Sequence, residues 1–294
     1  MLILKSLCGN IEIKNLSDSD DSVILDKYLK NSSNYIDIHH AGTAMRFLTA
    51  FLSIQESKEF EITGSDRMKQ RPIKILVDAL SSLGCDIRYK EKVGYPPLII
   101  KGKKIKGGEI SLSAEISSQY ISALILIAPF LKNGLSIKLK GEITSKPYID
   151  MTLSILNKIG VDCTFFKNTI SVKPYKTIKK TVLTVESDWS SASYFYSIIA
   201  LSEKSELNIG NFFKSSLQGD KELVNIYSRL GVRTEFIENQ SRIILKKDKN
   251  IVLPVNLNLD LTRNPDIAQT IAVTCFGLGI SCDLYGLHTL KIKE

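Results

Sequence analysis

The sequence has few of the residues that build metal and disulfide sites. Three histidines occur in 294 residues. No two of the five cysteines stand in CxxC spacing (Cys8, Cys85, Cys163, Cys275 and Cys282). Zinc sites are usually built from cysteines or histidines at short spacings, so the sequence predicts no zinc site. Such a pattern is typical of a reducing compartment.

Long apolar runs are also absent. The longest, residues 121–131, is shorter than the roughly 20 residues that a membrane-spanning helix needs. Residues 1–9 contain an apolar run broken by Lys5 and no small-residue cleavage site, which differs from a secretory signal. We therefore predict a cytoplasmic protein without a membrane partner.

Acidic residues are too few to balance the basic ones, and the formal net charge is +8. The basic runs at residues 101–106 and 246–249 contain no aromatic residues. Surfaces that bind single-stranded nucleic acid combine cations with aromatic rings, so we predict solvated loops here and no nucleic-acid partner. A positive field also attracts small phosphorylated or carboxylated substrates, and we favour that use.

A repeated pattern organises the chain. Apolar helices with small or polar residues at their start recur about 74 residues apart, at Thr43, Ser118, Ser191 and Asp266. A second kind of helix recurs at a similar spacing and stops at Gly84, Gly160 and Gly231. Between residues 115 and 174 the predicted order is helix, strand, helix and two strands. The sequence thus predicts about four copies of one α/β unit, in a chain long enough for two domains.

The helix starts are candidate anion sites, because free backbone N–H groups and the helix dipole favour negative charge there. Ordinary N-capping explains each start by itself, since Ser, Thr and Asp are preferred caps. Residues 66–72 add the densest arginine placement of the chain, with Arg67 and Arg71. Guanidinium groups bind carboxylate or phosphate bidentately, and a solvated surface loop is the alternative.

Six segments together resemble the 3-phosphoshikimate 1-carboxyvinyltransferase (EPSP synthase) family, and they occur in the family's order. They are residues 40–46 (HAGTAMR), 67–73 (RMKQRPI), 117–120 (SSQY), 145–150 (SKPYID), 188–194 (DWSSASY) and 264–266 (NPD). The resemblance covers essentially the whole chain. The SKPYID segment argues against the sister family, the UDP-N-acetylglucosamine carboxyvinyltransferases.

The resemblance implies an α/β fold of two domains, each an inside-out α/β barrel of three βαβαββ units, with the active site in the cleft between them. We assign residues 1–181 to an N-terminal domain and residues 182–294 to an incomplete C-terminal domain. The implied reaction transfers the enolpyruvyl group of phosphoenolpyruvate to the 5-hydroxyl of shikimate 3-phosphate and releases phosphate, a step of aromatic amino-acid biosynthesis. The resemblance implies neither a cofactor nor a metal.

Site residues follow from the same resemblance. Those implied for shikimate 3-phosphate are Ser117, Ser118, Gln119, Ser145, Tyr148, Asp266, Thr289 and Lys293. Those implied for phosphoenolpyruvate are Gly42, Thr43, Arg71 and Gln119. Tyr148 is expected to pack on the shikimate ring and Asp266 to accept the proton of the target hydroxyl, while Lys293 and Glu294 are the further catalytic candidates.

Compared with the family pattern, the chain is expected to be truncated at both ends, with about four of six repeats present. A Lys-Ser-x-Ser-Asn-Arg type segment is absent before residues 2–9, and residues 291–294 resemble only the start of a Lys-Glu-Thr-Asp-Arg motif. Three alternatives follow. The chain is an enzyme completed by a polypeptide with the missing C-terminal repeats, a non-catalytic module that binds shikimate 3-phosphate, or a fragment without function.

Overall fold

The computed structural model describes residues 1–31, 33–114, 117–141, 143, 145–287 and 290. The chain divides into two compact units. The first comprises Met1–Ile143 and Ile149–Val185, and the second comprises Thr144–Tyr148 and Glu186–Glu294. No helix within the described ranges is long and apolar enough to cross a membrane.

Helices and strands alternate along most of the chain. From the N-terminus they are α1 (Leu2–Cys8), β1 (Ile11–Lys14), α2 (Asp20–Lys30), β2 (Tyr35–Asp37), α3 (Gly42–Ser53), β3 (Glu59–Thr63), α4 (Asp66–Lys69), α5 (Lys74–Ser82), β4 (Asp86–Tyr89), β5 (Leu98–Lys101), β6 (Gly108–Ser113), α6 (Ser118–Ile127), β7 (Leu135–Lys140), α7 (Lys146–Lys158), β8 (Cys163–Phe166), β9 (Thr169–Val172) and β10 (Thr181–Thr184). The remainder are α8 (Trp189–Leu201), β11 (Glu206–Gly210), α9 (Leu223–Ser228), β12 (Val232–Ile237), β13 (Arg242–Lys247), β14 (Asn256–Asp260), α10 (Ala268–Leu278) and β15 (Ser281–Tyr285).

Two sheets of the first unit have the same topology, which confirms the repeated α/β unit predicted from the sequence. One has the strand order β2-β3-β5-β4 and the other β6-β7-β9-β8. In each, the first two strands are parallel, as Ile36 pairs with Ile62 and Ile110 with Ile137, and the last two form an antiparallel hairpin. Each parallel pair is joined through an apolar helix, the connection that parallel strands require. Each copy is therefore a βαβαββ unit.

The helices that cross between the parallel strands form the interior of the first unit. Nearly all residues of α3 and α6 are buried, and the two helices pack against each other. Leu48 and Leu124 are fully buried in this core. Most residues of these two helices are apolar, as expected for helices enclosed on nearly all sides.

The second unit has its own core, built around three large aromatic side chains. Trp189, Tyr196 and Tyr227 are fully buried there. The strands form a three-stranded antiparallel sheet, β11-β13-β12, and a parallel pair, β14-β15. The helix α10 connects β14 to β15 as α6 connects β6 to β7.

Two helix boundaries differ from the sequence-based expectation. The helix expected to begin at Met151 begins at Lys146, because Pro147 fits the first turn, where its missing N–H is not needed. The helix expected to start at Asp266 is preceded by a 3-10 turn, Pro265–Ile267. The strand β10 pairs with β1 and belongs to the first unit, and the domain division that we assign between residues 181 and 182 stays a prediction.

Candidate functional site

Two of the predicted helix starts lie side by side in the first unit. Gln119, in the first turn of α6, donates through Nε2 to the hydroxyl of Thr43, in the first turn of α3, at 3.2 Å. Ser117 caps α6, because its hydroxyl accepts the N–H of Gln119 at 3.4 Å. Ser118 follows and is buried. Backbone N–H groups at such helix starts favour a bound anion.

Two guanidinium groups approach the first residue of α3. A Cβ built on Gly42 would lie 2.6 Å from Nη1 of Arg71 and 2.9 Å from Nη1 of Arg46. The Arg46 Nη1 group donates to the carbonyl of Gly42 at 2.7 Å. Because Gly42 has no side chain, both cations reach the backbone at the helix start.

The surroundings of Arg71 are electrically positive. Burial and the neighbouring Arg46 cation lower the pKa of the Arg71 guanidinium from its ordinary value, but arginine stays charged at neutral pH. The Arg46 guanidinium lies 5.5 Å from the ring centroid of Tyr120. Asp21, whose carboxylate accepts the N–H of Ala44 at 2.9 Å, offsets part of the charge. Two like charges held close together are stabilised by an anion beside them.

The second unit holds a different group of polar residues around a buried carboxylate. Asp220 is only 1% exposed and lies in the 3-10 turn Gly219–Glu222. The hydroxyl of Tyr148 donates to Asp220 Oδ2 at 3.2 Å, and the hydroxyl of Ser190 donates to the same oxygen. The side-chain amide of Asn264 donates to Oδ1 at 3.5 Å.

Burial raises the pKa of two ionisable side chains in this second group. Burial raises the pKa of the Asp220 carboxyl, the Asp266 charge raises it further, and the bond from Ser190 counteracts the rise. The pKa of the Tyr148 phenol is raised far above its ordinary value by burial and by the charges of Asp220 and Asp266. Tyr148 therefore remains a hydrogen-bond donor throughout the physiological range.

The sequence-predicted site residues fall into three sets. Gly42, Thr43, Arg71 and Gln119 lie together in the first unit, beside Ser117 and Ser118. Ser145, Tyr148 and Asp266 belong to the second unit, where Ser145 donates its N–H to the carbonyl of Thr262 at 3.2 Å and Asp266 is exposed at the Pro265–Ile267 turn. Thr289, Lys293 and Glu294 lie outside the described residues.

Several residues of these groups were not assigned as site residues from the sequence, among them Arg46 and Asp220. Arg46 could have been found, because it stands four residues after Gly42 on a predicted helix and so faces the same side. Asp220 carried no comparable signal, since its donors come from three distant segments. In the described part of the chain, no group of three or more His, Cys, Asp and Glu residues is arranged to hold a metal ion.

Comparisons of the sequence with known proteins all identify the same family. A sequence model described as EPSP synthase (3-phosphoshikimate 1-carboxyvinyltransferase) matches residues 1–294. A 3-phosphoshikimate 1-carboxyvinyltransferase of Bacteroides fragilis (strain YCH46) is 45% identical over 297 residues, covering 100% of this chain and 70% of that protein. One from Haemophilus influenzae (strain Rd) is 38% identical over 259 residues, covering 87% of this chain and 58% of that protein.

A solved structure shares the fold. EPSP synthase from Acinetobacter baumannii superposes with a TM-score of 0.71 at 17% identity, covering 93% of this chain and 68% of that one. This likeness confirms the predicted α/β fold of repeated units. At that identity the structural similarity concerns the fold alone.

Proposed function

Because the chain belongs to the EPSP synthase (3-phosphoshikimate 1-carboxyvinyltransferase) family, we propose that it acts in the transfer of the enolpyruvyl group from phosphoenolpyruvate to the 5-hydroxyl of shikimate 3-phosphate. One observation of the structure carries the proposal. Two guanidinium groups and two helix starts converge at Gly42, and this combination suits a substrate that carries both a phosphate and a carboxylate.

Phosphoenolpyruvate recognition is proposed for this first group. Arg71 offers a planar pair of donors to a carboxylate or phosphate, and the N–H groups at the start of α3 add further donors beside Gly42. Gln119 is held toward Thr43 by its hydrogen bond, so its side chain is already ordered. Pre-ordered donors lose less conformational freedom when the ligand binds.

Shikimate 3-phosphate recognition is proposed for Ser117, Ser118 and Gln119 together with Ser145 and Tyr148. In the reaction, the 5-hydroxyl oxygen bonds to C2 of phosphoenolpyruvate while Asp266 accepts the hydroxyl proton, and the C2–C3 double bond takes up a proton at C3, for which Glu294 is the candidate donor. The resulting tetrahedral intermediate then loses inorganic phosphate together with a proton of its C3 methyl group, which restores the carbon–carbon double bond. An exposed carboxylate such as Asp266 is accessible for this proton transfer, which general base catalysis requires. Thr289, Lys293 and Glu294 keep the roles that the sequence predicts for them.

A partner polypeptide is also proposed, and the helices of the second unit support it. In α3 and α6 nearly every residue is buried, whereas the corresponding helices α8 and α10 expose a large apolar face. Its members are Tyr194 (65% exposed), Ile198 (61%), Val273 (61%) and Phe276 (88%). An apolar patch of this kind marks an interaction surface, and by the repeat architecture its occupant is an apolar crossover helix of a polypeptide with further repeats.

The proposed function is tested by measuring phosphate release from the two substrates. The chain is assayed alone and with a polypeptide that supplies the part of its relatives' length that it does not cover. Release in either assay supports the transferase. Binding of shikimate 3-phosphate without release in both would instead favour the non-catalytic binding module. The cytoplasmic location stays a prediction from the sequence.

A further inference from the structure

Asp220 joins three segments of the second unit that are far apart in sequence. Its carboxylate accepts hydrogen bonds from the first turn of α7 through Tyr148, from the first turn of α8 through Ser190, and from Asn264 just before the Pro265–Ile267 turn. A carboxylate that is 1% exposed would be strongly destabilising without such donors. Its place in the fold therefore depends on all three segments being present together.

The backbone beside Asp220 also packs closely against its neighbours. A Cβ built on Gly219 would lie 2.9 Å from Pro147 Cβ and 3.0 Å from Asn264 Nδ2. The 3-10 turn Gly219–Glu222 is thus wedged between the start of α7 and the segment that leads to Asp266. Only a glycine permits this approach, and the contact is independent of the hydrogen bonds of the carboxylate.

One of the residues that Asp220 holds, Tyr148, is assigned to substrate, and another, Asn264, stands close in sequence to a second assigned residue. Tyr148 donates a hydrogen bond to the carboxylate, so the hydroxyl end of its ring is anchored at Asp220. Asn264 is bound at its side chain by Asp220 and at its N–H by the carbonyl of Leu261, at 2.9 Å. Two residues further along the chain stands Asp266.

We propose that Asp220 is a positioning residue for shikimate 3-phosphate: it orients the Tyr148 ring for the substrate and connects that ring to the turn that carries Asp266. This inference rests on the proposed function, which makes Tyr148 and Asp266 substrate residues. Asp220 itself is too buried to touch the substrate, so its effect is exerted through the side chains that it holds.

A double-mutant cycle tests the proposal. Tyr148→Phe and Asp220→Asn are made singly and together, and the binding of shikimate 3-phosphate is measured by calorimetry. Each single variant is expected to weaken binding about tenfold, the effect of losing one hydrogen bond to a charged group. The double variant is expected to bind no more weakly than the worse single variant, because both changes remove the same contact. Phosphoenolpyruvate binding is expected to be unchanged.

Tyr196→Phe is the matched control. Tyr196 is a buried tyrosine of the same unit, and its hydroxyl bonds to that of Thr234 at 2.8 Å. Its loss is expected to lower the melting temperature without changing the affinity for shikimate 3-phosphate. If Asp220→Asn likewise lowered only the melting temperature, the residue would be structural and the positioning role would be overturned.

Thermal melting of the same four proteins separates this inference from the proposed function. Coupling between Tyr148→Phe and Asp220→Asn in the free energy of unfolding is expected with no ligand present, and independent, additive effects would refute the contact itself. A wild-type chain that fails to bind shikimate 3-phosphate both alone and with the complementing polypeptide would overturn the proposed function. The positioning role would then also be refuted, even if the melting temperatures show coupling between the two substitutions.

Discussion

The side-chain position that Gly42 leaves empty lies 2.6 Å from Nη1 of Arg71. Nη1 of Arg46 lies 2.9 Å from the same position, on the carbonyl side of Gly42. Both contacts are with the mobile ends of long side chains, so a methyl group here would displace cations and leave the backbone in place. The absence of a side chain at Gly42 thus allows two guanidinium groups to lie close to the start of α3.

Gly42→Ala is therefore expected to impair ligand binding more than folding. Alanine is a better helix residue than glycine by roughly 0.5–1 kcal/mol, so the melting temperature should not fall. The affinity for phosphoenolpyruvate should drop about tenfold, because the displaced Arg71 loses one charge-assisted hydrogen bond. Gly210→Ala is the control, since a Cβ added to Gly210 would meet no atom within 4 Å. Unchanged phosphoenolpyruvate affinity in Gly42→Ala would contradict the assignment.

Arg71→Lys keeps the charge but removes the planar pair of donors. An ammonium group cannot bind a carboxylate bidentately, so the KM for phosphoenolpyruvate is expected to rise about tenfold or more in steady-state assays. Arg88→Lys is a matched control, because Arg88 is exposed and faces Glu59 at 3.7 Å, where a surface ion pair contributes little. An unaltered KM would remove Arg71 from the phosphoenolpyruvate site.

Asp266→Asn tests the proposed base. Asparagine has nearly the same shape but cannot accept a proton, so turnover is expected to fall about 10²–10⁴-fold. Binding of shikimate 3-phosphate, measured by calorimetry, should be largely retained. Asp162→Asn is the control, since Asp162 is exposed and pairs with Lys173 at 2.7 Å. Turnover equal to that of the wild type would refute the base assignment.

The raised pKa of the Asp220 carboxyl predicts a specific dependence of protein stability on pH. Burial, with the Asp266 charge, raises its pKa in the folded state above the ordinary value, so the folded protein binds the proton more tightly than the unfolded chain. Asp220 therefore contributes more to the free energy of unfolding as the pH falls from its pKa in the folded state to about 4, its ordinary pKa. The melting temperature of Asp220→Asn, relative to the wild type, should accordingly decline on acidification.

Asp260→Asn is a control of opposite sign in the same unit. Hydrogen bonds from Thr262 lower the pKa of the Asp260 carboxyl, so Asp260 stabilises the fold above its unfolded pKa and loses that effect as the pH falls through its folded pKa. Asp260→Asn should be less stable than the wild type at neutral pH, and the difference should disappear in acid. Parallel pH curves for the wild type and Asp220→Asn would contradict the shift at Asp220.

The exposed face of α8 and α10 predicts self-association of the chain alone. Phe276 is 88% exposed, and Phe276→Ser is expected to reduce the proportion of oligomers in analytical ultracentrifugation while leaving the melting temperature nearly unchanged. Val252→Ser changes a residue that is 92% exposed outside these helices and should have no such effect. A monodisperse wild-type monomer at high concentration would contradict the interaction surface.

Much of the fold could be predicted because its signals are local. The apolar stretch of α6 and the alternating strand β7 were visible in the sequence, and the glycine stop at Gly160 marked the end of the second helix. The repeat spacing then placed α3 and α5 by analogy with α6 and α7. The predicted start of α7 was wrong, because the sequence does not show whether residues 145–150 extend the helix or precede it.

The candidate site could be predicted only for residues that stand in a recognisable sequence motif. Gly42 and Gln119 stand in recognisable segments, and the structure brings both into one cluster. Asp220 was missed, because the hydrogen bonds that make its burial possible come from residues 72, 30 and 44 positions away. Burial of a carboxylate is a property of the assembled unit, and no local pattern reports it.

Phosphate release from phosphoenolpyruvate, dependent on shikimate 3-phosphate, is the most direct test of the proposed transferase. The assay uses the wild-type chain and Asp266→Asn, each alone and with the complementing polypeptide. We predict release by the wild type in at least one of these conditions, with 5-enolpyruvylshikimate 3-phosphate formed in equal amount, and strongly reduced release by Asp266→Asn. No release by the wild type under either condition would contradict the proposed function.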